Sequence, residues 1–172
     1  MSGTGAPKAP HTVDGRGVNV VVVAGTWHDT ITNGLIDGAQ RALESAGASH
    51  TLVRVPGSFE LALAAQAAFA GGADAVVALG VIIRGGTPHF EYVSQATTDG
   101  LNRVALDAGK PVGFGVLTLD DEQQGIDRAG LAGSQEDKGA EAADAALRMV
   151  AVLRELAEAG GGSAPTASRS SE

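Results

Sequence analysis

A chain of 172 residues fits one domain, and a hydrophobic content of 44% is enough for a buried core. With aromatics at only 3%, that core must be built from Ala, Val, Leu and Ile. The formal net charge of −8 argues against nucleic acid held on a basic face, and the absence of cysteine excludes disulfide frameworks, thiolate zinc sites and cysteine nucleophiles. Residues 1–17 are rich in Gly, Pro and small polar residues, and residues 160–172 (GGGSAPTASRSSE) have linker composition; both are expected to be flexible. Residues 18–24 (VNVVVVA) form a β-branched run, the mark of a strand buried on both faces. Helical spacing follows over residues 31–46, with Ile31, Leu35, Ala39 and Ala42 on one side and a stop at Gly47. Residues 51–55 read as a second strand ended by Pro56-Gly57, and residues 59–70 as an Ala-rich helix stopped by Gly71-Gly72. A third strand is predicted over 75–83, a helix over 91–108, a fourth strand over 111–117, a short helix near 122–129 and a longer one over about 137–159.

Strands alternating with helices imply right-handed βαβ units. The predicted fold is an α/β three-layer sandwich around a four-stranded, mostly parallel sheet of flavodoxin-like connectivity, spanning residues 18–159 as one domain. Ligands of such sheets bind outside the carboxyl ends of the strands, where the strand order reverses. The segments that follow the strands are therefore the places to look for chemistry.

After the first strand stands Trp27, whose flat ring could stack on a planar heterocycle or serve only as packing. After the second come Ser58, placed as an N-cap, Phe59 and Glu60, which could accept hydrogen bonds from ligand hydroxyls or merely favour the helix dipole. After the third comes Arg84-Gly85-Gly86-Thr87-Pro88-His89-Phe90. Two glycines, a hydroxyl and a helix start together favour an anion such as phosphate, although the spacing is neither a P-loop nor GxGxxG. His89 then stands beside that turn, and imidazole is the side chain suited to proton transfer near neutral pH. Phe114 could wall a pocket or pack in the core. Arg128 and Lys138 could meet a phosphate or remain solvated. Asp120, Asp121 and Glu122 read as a helix N-terminal cluster. The four histidines show no paired spacing of the HExxH kind, and no metal site is expected.

The segment GVIIRGGTPHFEYV (residues 80–93) closely resembles the signature of the lumazine synthase family. GTWH (25–28), VPGSFEL (55–61), FGVLT (114–118), DRAG (127–130) and DKGAEAA (137–143) match the same family in the same order, so the resemblance spans about residues 18–158. It implies a transferase of riboflavin biosynthesis, 6,7-dimethyl-8-ribityllumazine synthase, working without a cofactor. That enzyme condenses 5-amino-6-(D-ribitylamino)uracil with 3,4-dihydroxy-2-butanone 4-phosphate and releases phosphate and water. The resemblance further implies that Trp27 stacks on the pyrimidine and that Ser58, Phe59 and Glu60 hold the ribityl chain. Val81, Ile82 and Ile83 would contact the ring through their backbone. Gly86 and Thr87 would bind phosphate, with Arg128 reaching it from a neighbouring subunit. Phe114 would line the pyrimidine pocket across the subunit boundary, and His89 would move protons.

The sequence departs from the family pattern at Glu91, where Asp is usual, at Leu119, where a second Thr is common, and at Gly86, where a larger residue often sits. The family's partners are small-molecule substrates and further copies of the chain, in pentamers that some members build into a 60-subunit icosahedral shell, with riboflavin synthase as an associate. The turn over residues 131–137 (LAGSQED) is longer than that of shell formers, so a free pentamer is expected. No apolar run has the length of a membrane span, and residues 1–10 lack the apolar core of a signal peptide, so a cytoplasmic protein with no membrane partner is expected. The closest rival activity is an archaeal-type riboflavin synthase, which would need no sugar-phosphate turn. A noncatalytic ligand-binding protein on the same scaffold and a flavodoxin-like electron carrier follow.

Overall fold

A computed structural model describes residues 13–161. Four strands, β1 (Asn19–Gly25), β2 (Ser49–Val55), β3 (Ala75–Ile83) and β4 (Val112–Leu119), form one sheet in the order β2-β1-β3-β4. All three neighbouring pairs are parallel. Five helices connect or flank them: α1 (Asp29–Ser45), α2 (Leu61–Ala70), α3 (His89–Ala108), α4 (Glu122–Ile126) and α5 (Lys138–Gly161).

Two cores sandwich the sheet, because alternate strand residues point to opposite faces. Val20, Val22 and Ala24 of β1 and Val77, Leu79 and Val81 of β3 pack with Ile31, Leu35 and Leu43 of α1 and with Ala143, Ala146 and Leu147 of α5. On the opposite face Val23, Val76, Ala78 and Ile82 pack with Leu61, Ala65 and Phe69 of α2 and Leu101 of α3. This is the predicted three-layer α/β architecture with flavodoxin-like order. The continuous apolar runs of β1 and β3 are explained by their central positions, where both faces are covered. β2, at the edge, exposes most of its residues.

The elements depart from the sequence reading mainly at their ends. Helices α1 and α3 begin two residues earlier than periodicity suggests, and each opens on an exposed polar residue, Asp29 or His89. Residues 13–17, expected to be loose, are tied down. The Gly15 N–H donates to the Ala46 carbonyl at 2.8 Å, and Val13 packs against the core. Helix α5 runs through Gly161, past the expected boundary at residue 159. The expectations for residues 1–12 and 162–172 lie outside the described residues.

Helices α1 and α5 touch through backbone. A β-carbon at Gly139 would lie 2.0 Å from the Leu35 carbonyl oxygen, a contact that no side-chain rotation relieves. Gly139→Ala must push the two helices apart, and overpacking of this kind costs about 1–3 kcal/mol. Urea unfolding is expected to show that loss; an unchanged midpoint would contradict the tight α1–α5 contact.

Candidate active site

The order β2-β1-β3-β4 sends the chain from β1 to one side of the sheet and from β3 to the other. A crevice must open between their carboxyl ends. A cleft of about 750 Å³ lies there. Trp27 and His28 wall it from the end of β1, residues 57–60 from the end of β2, and Val81, Ile82 and Ile83 form its floor. Gly85, Thr87 and His89 close it from the β3–α3 loop, with Phe90, Tyr92, Val93 and Ala96 along the first turns of α3.

Local interactions set each wall. The Thr32 hydroxyl donates to the Trp27 carbonyl at 2.7 Å, and the Thr26 hydroxyl donates to the Pro56 carbonyl at 2.8 Å, joining the loops after β1 and β2. A β-carbon at Gly57 would stand 3.4 Å from Glu60 Oε2 and 3.6 Å from Trp27 Cδ1, so the carboxylate and the indole share one wall. Trp27 is 67% exposed and Phe59 64%, two large apolar surfaces facing open space.

Ser58 does not serve as the cap expected of it. Residues Ser58–Glu60 form a short 3-10 turn, Gly57 occupies the cap position, and no side chain caps it. Ser58 is instead buried against β3, where a β-carbon at Gly80 would come within 2.6 Å of its hydroxyl oxygen. Thr97 of α3 holds this turn by donating to the Ser58 carbonyl at 3.2 Å. Gly80 is thus what lets the β2 loop press onto the central strand.

The β3–α3 loop is open. Nothing stands within 4 Å of a β-carbon placed on Gly85 or Gly86, and Thr87, Pro88 and His89 are exposed. Gly86 itself is not among the residues lining the cleft, though Gly85 and Thr87 on either side of it are. Arg84 bridges both ends of this loop. Its Nε donates to Asp120 Oδ1 at 3.0 Å, its Nη1 donates to Glu91 Oε1, and its guanidinium carbon lies 4.1 Å from the centre of the Phe90 ring. The hydrogen bond from Arg84 holds the Glu91 carboxyl below its ordinary pKa, and donating to Asp120 and Glu91 raises that of Arg84. A lowered carboxylate pKa means that the Arg84–Glu91 pair is complete above the ordinary carboxylate range. It is lost only as pH falls through the lowered value.

Two expected site residues lie elsewhere on this chain. Phe114 is 47% exposed on edge strand β4 and does not line the cleft. Arg128 stands just past the end of α4 rather than within it, because that helix stops at Ile126. Its Nη1 donates to the Gln124 carbonyl at 2.8 Å, and its Nε lies 3.6 Å from Glu136 Oε2. Glu136 also meets Lys138 at 3.3 Å. Burial works against the Lys138 ammonium, but hydrogen bonds and charge from Glu141 and Glu136 outweigh it and raise its pKa. Asp121 caps α4 by accepting from the Gln124 N–H, as its place in the acidic cluster suggested. Leu119 is buried in the core and does not line the cleft, so the missing Thr removes nothing from it. Among the described residues no group of three His, Asp or Glu side chains could hold a metal ion, and no helix is long and apolar enough to cross a membrane.

Sequence reasoning gave no role to His28, Tyr92, Val93 or Ala96, all of which line the cleft. The α3 residues were legible in principle, since once His89 starts a helix the next turn must flank the same opening. His28 carried no signal, because its conformation is set by the turn from β1 into α1.

Parallel strands, helices on both faces and a cleft at the carboxyl ends of the strands define a three-layer α/β protein of flavodoxin-like order. The sequence model of the 6,7-dimethyl-8-ribityllumazine synthase family matches residues 17–154. Proteins of that name from Leifsonia xyli subsp. xyli and Clavibacter michiganensis subsp. michiganensis are 71% and 65% identical to this chain over 156 and 157 residues. Each alignment covers 91% of this chain, and 99% and 98% of the respective relative. A third, from Streptomyces coelicolor, is 54% identical over 159 residues, covering 92% of this chain and 98% of its own length. The chain belongs to the 6,7-dimethyl-8-ribityllumazine synthase family. It is therefore an enzyme, a transferase of riboflavin biosynthesis that acts on small molecules.

His28 is the one described residue other than glycine with positive φ, at φ 57° and ψ 60°. The left-handed region costs an ordinary residue about 1–2 kcal/mol, and a β-branched one more. His28→Val is expected to lower stability to urea while His28→Gly does not. The reverse order of the two midpoints would contradict this backbone geometry.

Proposed function

We propose that the cleft condenses 5-amino-6-(D-ribitylamino)uracil with 3,4-dihydroxy-2-butanone 4-phosphate to give 6,7-dimethyl-8-ribityllumazine, phosphate and water. The observation that carries this reading is that one cleft, in a chain of this family, is bounded by Trp27, Glu60, Thr87 and His89 together. An exposed indole offers a flat face to the pyrimidine. Ser58, Phe59 and Glu60 lie where a ribityl chain leaving the ring would run, and the backbone of Val81, Ile82 and Ile83 faces the ring edge. The open turn with Gly86 and Thr87, next to the first N–H groups of α3, suits a phosphate dianion.

The reaction asks little covalent help of the protein. The ring amine attacks the ketone and loses water to give an imine. Removal of a proton then expels phosphate, and closure of the second ring with a further loss of water gives the aromatic product. Holding the two substrates together supplies much of the acceleration. His89, beside the phosphate turn, moves the protons.

Arg128 and Phe114 lie outside this chain's own cleft, and both belong to the reading through a neighbouring subunit. Arg128 would complete the phosphate site of the next protomer and Phe114 would cover its pyrimidine. A ring of chains in which each site borrows from its neighbour needs a heterologous, closing interface. We assign a homopentamer acting in the cytoplasm, with riboflavin synthase as an associate. The 131–137 turn favours a free pentamer over a 60-subunit shell. It is a bulky, internally bonded turn, in which the Ser134 hydroxyl accepts from the Leu131 N–H at 2.9 Å and donates to the Ile126 carbonyl.

Mixing the two substrates with the purified protein and following product absorbance and phosphate release tests the reaction. Equal release of both products is expected, and phosphate release without the lumazine would overturn it. His89→Ala is expected to slow turnover by about 10²–10⁴-fold without abolishing it, the range of general acid–base help. Unchanged steady-state turnover would remove His89 from the proton path. Arg128→Ala should weaken the sugar phosphate more than the pyrimidine in calorimetric titrations of each. Equal losses would contradict a phosphate role. Light scattering should find a particle of five 17.1-kDa chains; a particle of sixty would overturn the free pentamer.

A further inference from the structure

The β3–α3 loop carries the groups nearest the proposed phosphate, yet little within it fixes its shape. Gly85 and Gly86 have open space around them, Thr87 to His89 are exposed, and the Pro88 carbonyl accepts from the Glu91 and Tyr92 N–H groups that start α3. What spans the loop is Arg84. Its backbone N–H donates to the Leu119 carbonyl at 2.8 Å, fixing its own main chain to the end of β4. Its side chain grips Asp120 just beyond β4 with one nitrogen and Glu91 in the first turn of α3 with another, and covers the Phe90 ring. Phe90 lines the cleft, whereas Arg84, Glu91 and Asp120 do not. The guanidinium therefore stands outside the cleft and ties its exposed rim to the sheet through three different contacts.

We propose that Arg84 is a positioning residue for the reaction: clamped between Asp120 and Glu91 and stacked on Phe90, it fixes the first turn of α3 and so the placement of Thr87 and His89. The catalytic consequence rests on the function proposed above; the clamp itself does not. A planar fork is what this job requires. Only a guanidinium presents donors in two directions while its face remains free to lie on a ring. Glu91, the longer acid at a position where the family usually has Asp, still reaches the fork.

Exposed ion pairs contribute little to global stability, and all three charged partners are substantially exposed. Breaking the clamp should therefore leave unfolding nearly unchanged while it disturbs geometry. Misplacement of a catalytic group by ~1 Å can cost ~10²-fold in rate. These two effects separate positioning from a merely structural contribution.

The test compares wild type with Arg84→Gln, Arg84→Lys and Glu91→Gln in the full chain. Hydrogen exchange across residues 84–93 reads the clamp independently of any reaction. Exchange there should quicken by ~10-fold or more in Arg84→Gln, with the rest of α3 and the thermal midpoint unchanged. Unchanged exchange overturns the clamp. In the two-substrate assay, kcat should fall ~10–10²-fold in Arg84→Gln with KM for the pyrimidine nearly constant, and Arg84→Lys should recover part of the loss. A kcat within twofold of wild type, or a loss that follows the thermal midpoint, overturns the positioning role. A wild type that yields no lumazine overturns the proposed function instead, and the exchange result still decides the clamp.

Discussion

The parallel pairing of β1 with β3 is the constraint on which everything else depends. These strands are hydrogen-bonded neighbours at the centre of the sheet, with Val22 opposite Val77 and Ala24 opposite Leu79. Parallel neighbours cannot be joined by a hairpin, so each strand must leave through a helix that crosses a face of the sheet. α1 leaves toward one face and α3 toward the other. The gap between their first turns cannot be filled by either, and the cleft is that gap. Because both strands are covered on both faces, their residues are almost wholly apolar, and the polar chemistry is forced onto the loops just beyond them.

The two loops then divide the work by composition. The loop after β1 is short and strained, with His28 held in the left-handed region and Trp27 fixed through its carbonyl by Thr32. It presents the exposed indole of Trp27 to the cleft. The loop after β3 is glycine-rich and open, and its order comes from Arg84 rather than from packing. In the proposed reaction the loop after β1 would face the aromatic ring and the loop after β3 the departing phosphate. The loop after β2 joins them, pressed onto β3 at Gly80 and tied to α3 by Thr97.

The central strands β1 and β3 were legible in the sequence because burial on both faces leaves no alternation to misread. β3 was bounded correctly at residues 75–83, where every position but the last is buried. Helix starts were not legible to the same degree. α1 opens with the exposed polar Asp29 and Thr30, and α3 with the exposed His89, so the first residue of each helix gives no apolar signal. Trp27, Glu60, Thr87 and His89 could be placed around one opening because each follows a strand, and strand ends share an edge. Ser58 was assigned a cap because its type is common there, while the tight approach of Gly80 that buries it is a tertiary fact. The Arg84 clamp was invisible for the same reason: Asp120 lies 36 residues along the chain, and only the β3–β4 register brings it near.

Trp27 is the only tryptophan in the chain, so its fluorescence reports from one wall of the cleft and from nowhere else. The most direct measurement is a titration with 5-amino-6-(D-ribitylamino)uracil, following indole emission and heat in parallel. If the ring of the pyrimidine lies on Trp27, emission falls saturably with the same midpoint as the heat. Binding heat with unchanged emission would place the pyrimidine away from this wall, and the cleft between β1 and β3 would not be where the ring is held.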